Sequence, residues 1–194
     1  EFCQRSLNKE NCERLNGLAF RRDGAVIVNP PNRFIENLDE LPMANRELLP
    51  LNKYPVASVQ TSRGCPYDCI FCNVSGFYGR RLRLRDASKV AEECSLLTGK
   101  YRRSHLFFFG DAFTFNPSWV EEFCGEILRR RLKFQWGCET RVDNVSLSML
   151  RKMREAGCTE IQYGIDYGDE KVLERLGKQT STDTISDAVN WAKQ

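Results

Sequence analysis

The sequence predicts an α/β fold on a parallel sheet. Periodicity does not separate an open sheet from a barrel, and an incomplete (βα) barrel is expected because the sequence ends before further strands. Three observations carry the parallel-sheet reading. Short apolar runs alternate with amphipathic helical segments four times between residues 56 and 164, the pattern of a parallel sheet with helical crossovers. A length of 194 residues, 41% hydrophobic and 28% charged, suits one globular core. Each apolar run also stops at polar or glycine-rich residues, where ligands gather in parallel sheets.

The elements follow in order. Residues 17–29 place two short apolar runs around Asp23-Gly24, a hairpin signal that Pro30-Pro31 ends. Residues 32–55, with Pro42 and Pro50, read as an extended connector. A strand over 56–61 leads into a cysteine loop. Asp86 caps a helix with Val90, Cys94 and Leu97 on one face, and residues 105–109 form a strand apolar enough to be buried on both sides. Asn116-Pro117 opens the next helix, whose Val120, Phe123, Cys124 and Ile127 face inward. A third strand spans 133–138, Ser146 caps a helix closed by Gly157, and a fourth strand spans 160–164. Helices over 169–176 and 182–193 complete the chain.

Composition narrows the function. Lys and Arg number 29 against 26 Asp and Glu, a net +3 too small to imply nucleic acid. No apolar run approaches the ~20 residues of a membrane span. Nine cysteines in no disulfide-like pattern point to a reducing cytoplasm. The chain opens at Glu1 with a polar, unpatterned stretch through Arg14 and stops at Gln194 inside a helical pattern. A piece of a longer protein is expected: residues 1–50 as hairpin and connector, 51–194 as the first part of a barrel.

The chemistry centres on Cys65, Cys69 and Cys72. Chance would produce C-x3-C-x2-C about 0.02 times in such a chain. Three thiolates on one loop suit an iron–sulfur cubane and leave one of its four irons open for a ligand. A structural zinc needs a fourth donor; Cys94 and His105 are the candidates, and both lie in regular segments. The remaining strands end at Gly110 and Asp111, at Glu139, Arg141 and Asp143, and at Gly164 and Asp166. Singly, these glycines and acids read as turn formers and caps; beside the cysteine loop they become candidates for a shared polar site. Arg141 suits a carboxylate ligand.

The cysteine loop, with Phe71 before the last cysteine, resembles the radical S-adenosylmethionine (SAM) superfamily across residues 56–194. Residues 16–50 resemble the connector that follows a cobalamin-binding domain in some members. The resemblance implies a partial barrel of the radical SAM type and a 4Fe–4S cluster on Cys65, Cys69 and Cys72, whose open iron chelates SAM. It further implies SAM contacts from Gly110 and Asp111, which depart from the common Gly-Gly-Glu form, from Arg141 at the carboxylate, from Gly164 and Asp166 near the ribose, and from Phe71 at the adenine. The expected activity is reductive SAM cleavage used in methylation or ring formation, with cobalamin on a domain outside this chain. A small-molecule substrate is favoured over nucleic acid, with flavodoxin or ferredoxin as electron donor. A methylthiotransferase acting on transfer RNA and a metal-bearing binding scaffold are the alternatives.

Other features read as structural. Residues 79–85 alternate Arg with Leu, an edge segment with solvated arginines and buried leucines. Phe107, Phe108 and Phe109 read as core, with a hydrophobic pocket wall as the alternative. Cys94, Cys124, Cys138 and Cys158 read as small apolar residues, Cys138 lying near the rim. Arg63 is expected to lower the neighbouring thiol pKa.

Overall fold

The computed structural model describes residues 2–8 and 11–194; Glu1, Lys9 and Glu10 of the unpatterned opening lie outside them. Contacts divide the chain into two units, Glu1–Ile35 and Glu36–Gln194.

The first unit holds a short helix α1 (Phe2–Leu7), which sequence patterning missed, and the expected hairpin of β1 (Ala19–Arg22) and β2 (Ala25–Val28). Asp23 and Gly24 both take positive φ, 49° and 82°, the turn that matches the twist of paired strands.

The second unit is built on four parallel strands in the order β3 (Ala57–Gln60), β6 (His105–Phe109), β7 (Gln135–Arg141) and β8 (Cys158–Gly164). A two-residue ribbon, β4 (Ser62–Arg63) against β5 (Arg83–Leu84), forms the neck of the cysteine loop. That loop carries a short helix, α2 (Val74–Tyr78), that the sequence reading did not include. Helices α3 (Ala87–Gly99), α4 (Pro117–Arg129) and α5 (Leu147–Glu155) make the crossovers, and α6 (Glu170–Arg175) and α7 (Thr182–Ala192) follow. Asp86, Asn116, Ser146, Asp169 and Ser181 each accept a first-turn backbone N–H. Such capping satisfies donors that have no partner inside the helix. This is the expected partial α/β barrel.

The core lies between the sheet and α3–α5. Phe108, Phe113, Trp119, Phe123 and Trp136 pack with ring centroids 5.0–6.0 Å apart, each pair contributing about 1 kcal/mol beyond its buried area. Both indole N–H groups are satisfied: Trp136 donates to the Ala156 carbonyl and Trp119 to that of Arg85.

Several expectations need correction. Strand β7 runs to Arg141 rather than ending at Cys138, because Glu139, Thr140 and Arg141 pair with Gln162, Tyr163 and Gly164. Ladder pairing overrides the polar character that had read as loop. Cys138 is therefore a buried mid-strand residue, away from the rim. Strand β6 is not buried on both faces: Leu106 and Phe108 are fully covered, whereas Phe109 is 40% exposed on the opposite face. The arginine strip is also not simply solvated. Arg80 and Arg81 are exposed, but Arg83 is buried, and Arg85 joins Arg46 in holding Glu93, at 2.7 Å in each case. Leu82 and Leu84 are only half-buried. The segment expected to be an extended connector contains three single-turn 3-10 helices, at Leu38–Glu40, Arg46–Leu48 and Leu51–Lys53.

Candidate functional site

The β4–β5 ribbon brings residues 64 and 82 together, so the three cysteines sit on a cinched loop at the carboxyl end of the sheet. Gly64 is required at the neck. Its φ is +92°, and a Cβ there would lie 2.2 Å from the Arg81 carbonyl oxygen. Just beyond it, Cys65 N–H donates to the Gly79 carbonyl at 3.2 Å.

The ends of β6 and β7 and the turn after α6 grip this loop. From β6, Asp111 Oδ2 accepts from Gly64 N–H at 2.5 Å. From β7, the Arg141 guanidinium lies 3.7 Å from the Tyr67 ring centroid, and its Nη1 donates to Cys69 Sγ at 3.5 Å. Asn144 accepts from the Tyr67 hydroxyl at 2.7 Å, and Phe115 meets the Tyr67 ring edge-on. Beyond β8, the Leu176 carbonyl accepts from Ile70 N–H at 3.0 Å.

Arg141 is held as firmly as it holds. Nε and Nη2 donate to the two Asp143 carboxylate oxygens at 2.8 and 2.6 Å, and Nη2 also donates to the Lys178 carbonyl at 2.6 Å. Of its five N–H donors, these bonds and the Cys69 contact engage four.

Burial pushes the Cys65 thiol above its ordinary value, with the charges of Cys72, Asp111 and Cys69 adding to the effect. The expected lowering by Arg63 does not occur: that guanidinium is bonded to Gln60 and lies over the Tyr78 ring. Burial likewise raises Asp111, opposed by the Gly64 N–H and by Arg83 and Arg63.

A cavity of about 470 Å3 opens beside the loop, lined by Ser62, Phe109, Gly110, Asp111, Arg141 and Gly164 among others. Five of the residues singled out in the sequence, two strand-end glycines and two acids with Arg141, fall as follows: Gly110, Asp111, Arg141 and Gly164 share the cavity, whereas Asp166 does not line it. Asp166 takes a left-handed φ of 65° and pairs with Lys178. Phe71 is 53% exposed on the loop. The sequence reading missed Lys178, a buried lysine whose only local signal is its place after the Gly177 helix stop.

The donor set fits an iron–sulfur cluster better than a single ion. Among the described residues, no three His, Cys, Asp or Glu side chains gather around one metal position. A cubane makes a different demand, since each thiolate binds its own iron. The three cysteines meet that demand as neighbours whose charges act on one another. Beside them, the buried hydroxyls of Thr61 and Ser62 have no hydrogen-bond partner among the described residues. Ser62 lines the cavity, and an unpaired buried hydroxyl there favours a polar ligand.

Comparison with known proteins decides the family. The Radical SAM superfamily model matches residues 59–194. The chain belongs to the radical SAM superfamily. An uncharacterized methyltransferase of Pyrococcus horikoshii is 34% identical over 183 residues, covering 92% of this chain and 40% of that protein. The anaerobic magnesium-protoporphyrin IX monomethyl ester cyclase of Synechocystis is 31% identical over 199 residues, covering 96% and 39%. The chain therefore spans about two fifths of the length of these relatives. Among solved structures, the cobalamin-dependent radical SAM enzyme OxsB superposes with a TM-score of 0.84 at 23% identity, over 98% of this chain and 30% of OxsB. The methyltransferase TsrM of Kitasatospora setae gives 0.82 at 17% identity, over 99% and 41%. At these identities the likeness is one of fold. As a radical SAM chain, this sequence implies SAM and an iron–sulfur cluster. No helix among the described residues is long and apolar enough to cross a membrane.

Proposed function

We propose that this chain forms the SAM-cleaving core of an enzyme that methylates or cyclises a small organic molecule. Cys65, Cys69 and Cys72 would hold a 4Fe–4S cluster, and SAM would occupy the adjoining cavity. When bound, the cluster supplies one electron to the sulfonium of SAM, releasing methionine and a 5′-deoxyadenosyl radical. The chain's own residues bind and orient. Gly110 and Gly164 leave room at the strand ends, and Asp111, with one oxygen already committed to Gly64, offers the other to the SAM amino group. The unspent N–H of Arg141 would serve the SAM carboxylate, Asp166 the ribose and Phe71 the adenine. The observation that carries this reading is the clasping of the three-cysteine loop by the ends of β6 and β7 and by the turn after α6, beside a cavity at the strand ends.

The wider assignment rests on similarity. Residues 1–50 would be the connector from a cobalamin-binding domain and 51–194 the first part of the barrel, as the resemblance to cobalamin-dependent members suggests. The relatives named for methylation and for magnesium-protoporphyrin support a small-molecule substrate. A reducing cytoplasm with a flavodoxin or ferredoxin as electron donor accords with nine cysteines that form no disulfide among the described residues. The test is anaerobic reconstitution with iron and sulfide, followed by reductant and SAM. Formation of 5′-deoxyadenosine is expected; a brown, cluster-loaded protein that leaves SAM intact would refute the assignment.

A further inference from the structure

A buried lysine outside the cysteine loop joins three parts of this site, and no expected SAM or cluster contact accounts for it. Lys178 sits one residue past the glycine that ends α6 and is only 4% exposed. Its Nζ donates to the Gly164 carbonyl at 2.5 Å and to Asp166 Oδ2, so it ties α6 to the end of β8. Its own carbonyl accepts from Arg141 Nη2 at 2.6 Å, the same guanidinium that reaches Cys69 Sγ. The residue two places earlier, Leu176, accepts from Ile70 N–H inside the cysteine loop. Between them Gly177, at φ +68°, lies so close to the loop that a Cβ would come within 2.9 Å of the Asp68 carbonyl. The turn 176–178 is therefore a bracket. One side seats the loop bearing Cys69, and the other is pinned to β8 by a single ammonium.

A buried ammonium is costly unless paired, and a surface-exposed helix end has no need of one. Its placement makes sense if the position of the bracket matters to what the loop holds. Resting on the radical SAM reading above, we propose that Lys178 is a positioning residue. It sets Asp166 and Arg141 at once, and so aligns the nucleotide end of the SAM site with the cluster loop. Groups that orient ligand-bearing residues typically change affinity by about 10–100-fold when removed.

The test compares wild type with K178M and K178R. Methionine keeps an unbranched apolar stem but cannot donate, whereas arginine can make both donations. In metal-free protein, amide hydrogen exchange over the peptide 64–73 should accelerate in K178M and stay near wild type in K178R. After anaerobic reconstitution, iron content should be similar in all three. The change in the reduced cluster's paramagnetic resonance spectrum on adding SAM should require about tenfold more SAM in K178M, with K178R recovering most of the loss. Wild-type exchange rates and SAM response in K178M would overturn the role of Lys178 alone. A loss in K178M that K178R fails to rescue would overturn it as well. If the reconstituted wild type shows no SAM-dependent spectral change, the radical SAM reading itself fails and takes this proposal with it.

Discussion

Nη1 of Arg141 stands 3.5 Å from Sγ of Cys69, although 72 residues separate the two in sequence. The contact exists because β7 continues to Arg141 and delivers the guanidinium to the rim, where Asp143 fixes its plane through two parallel hydrogen bonds.

Removing Arg141 should therefore do more than weaken SAM binding. R141A leaves the largely buried Asp143 carboxylate without its cation, at a cost of about 3 kcal/mol. R141K keeps the charge but cannot reproduce the fork or the stack on Tyr67, so it should recover only part of that loss. Denaturant unfolding of the metal-free chain and SAM titration of the reconstituted one check both effects. An R141A variant with wild-type stability would show the Asp143 pair to be immaterial.

Replacing Cys65, Cys69 or Cys72 singly with Ala should abolish brown colour and SAM cleavage, because each thiolate binds its own iron. C94A should retain both, since Cys94 is fully buried in the core. Full iron content in C69A would remove it from the ligand set.

G64A tests the neck of the loop. The left-handed backbone and the Arg81 carbonyl both oppose a Cβ, so the variant should lose more than about 2 kcal/mol or splay the β4–β5 ribbon. Iron bound per chain after reconstitution should fall sharply. Unimpaired loading would mean that the loop closes without this geometry.

Glu93 is a carboxylate 4% exposed, shared by Arg46 and Arg85. E93Q leaves two guanidinium groups facing a neutral amide, and the expected cost is about 3 kcal/mol. A midpoint in urea within error of wild type would contradict the buried network.

Tyr163 offers a pH test. Burial, with Cys138 and Cys158 nearby, pushes its phenol up to about 12 from an ordinary 10.0. The unfolded chain therefore ionises first. The stabilisation is complete below pH 10 and is lost as pH rises toward 12. Y163F should flatten that alkaline limb. Because the hydroxyl is buried without a partner among the described residues, the variant should be neutral or up to about 1 kcal/mol more stable at pH 7. An unchanged alkaline slope would count against the burial argument.

The order of strands and helices was legible because it is written in local chemistry. The Asp86, Asn116 and Ser146 caps, the Gly157 stop and the spacing of apolar residues each act within a few positions. The three cysteines were legible for the same reason, being ligands on one short loop. Ladder pairing is not local. Nothing near Glu139 or Arg141 says that Gln162 and Gly164 will extend the strand past Cys138, so the sequence reading stopped β7 too soon. Strand alternation puts Phe108 and Phe109 on opposite faces; what the sequence did not show is that the Phe109 face opens onto a cavity.

What the chain determined by itself is the fold class, the crossovers and the sulfur ligands, since propensity, capping and spacing are properties of neighbouring residues. Only the tertiary structure decided which charges meet. Arg141 meets Cys69 across 72 residues and Glu93 meets Arg46 across 47, in an interior where low polarity makes the correct partner essential and leaves no trace in the local sequence.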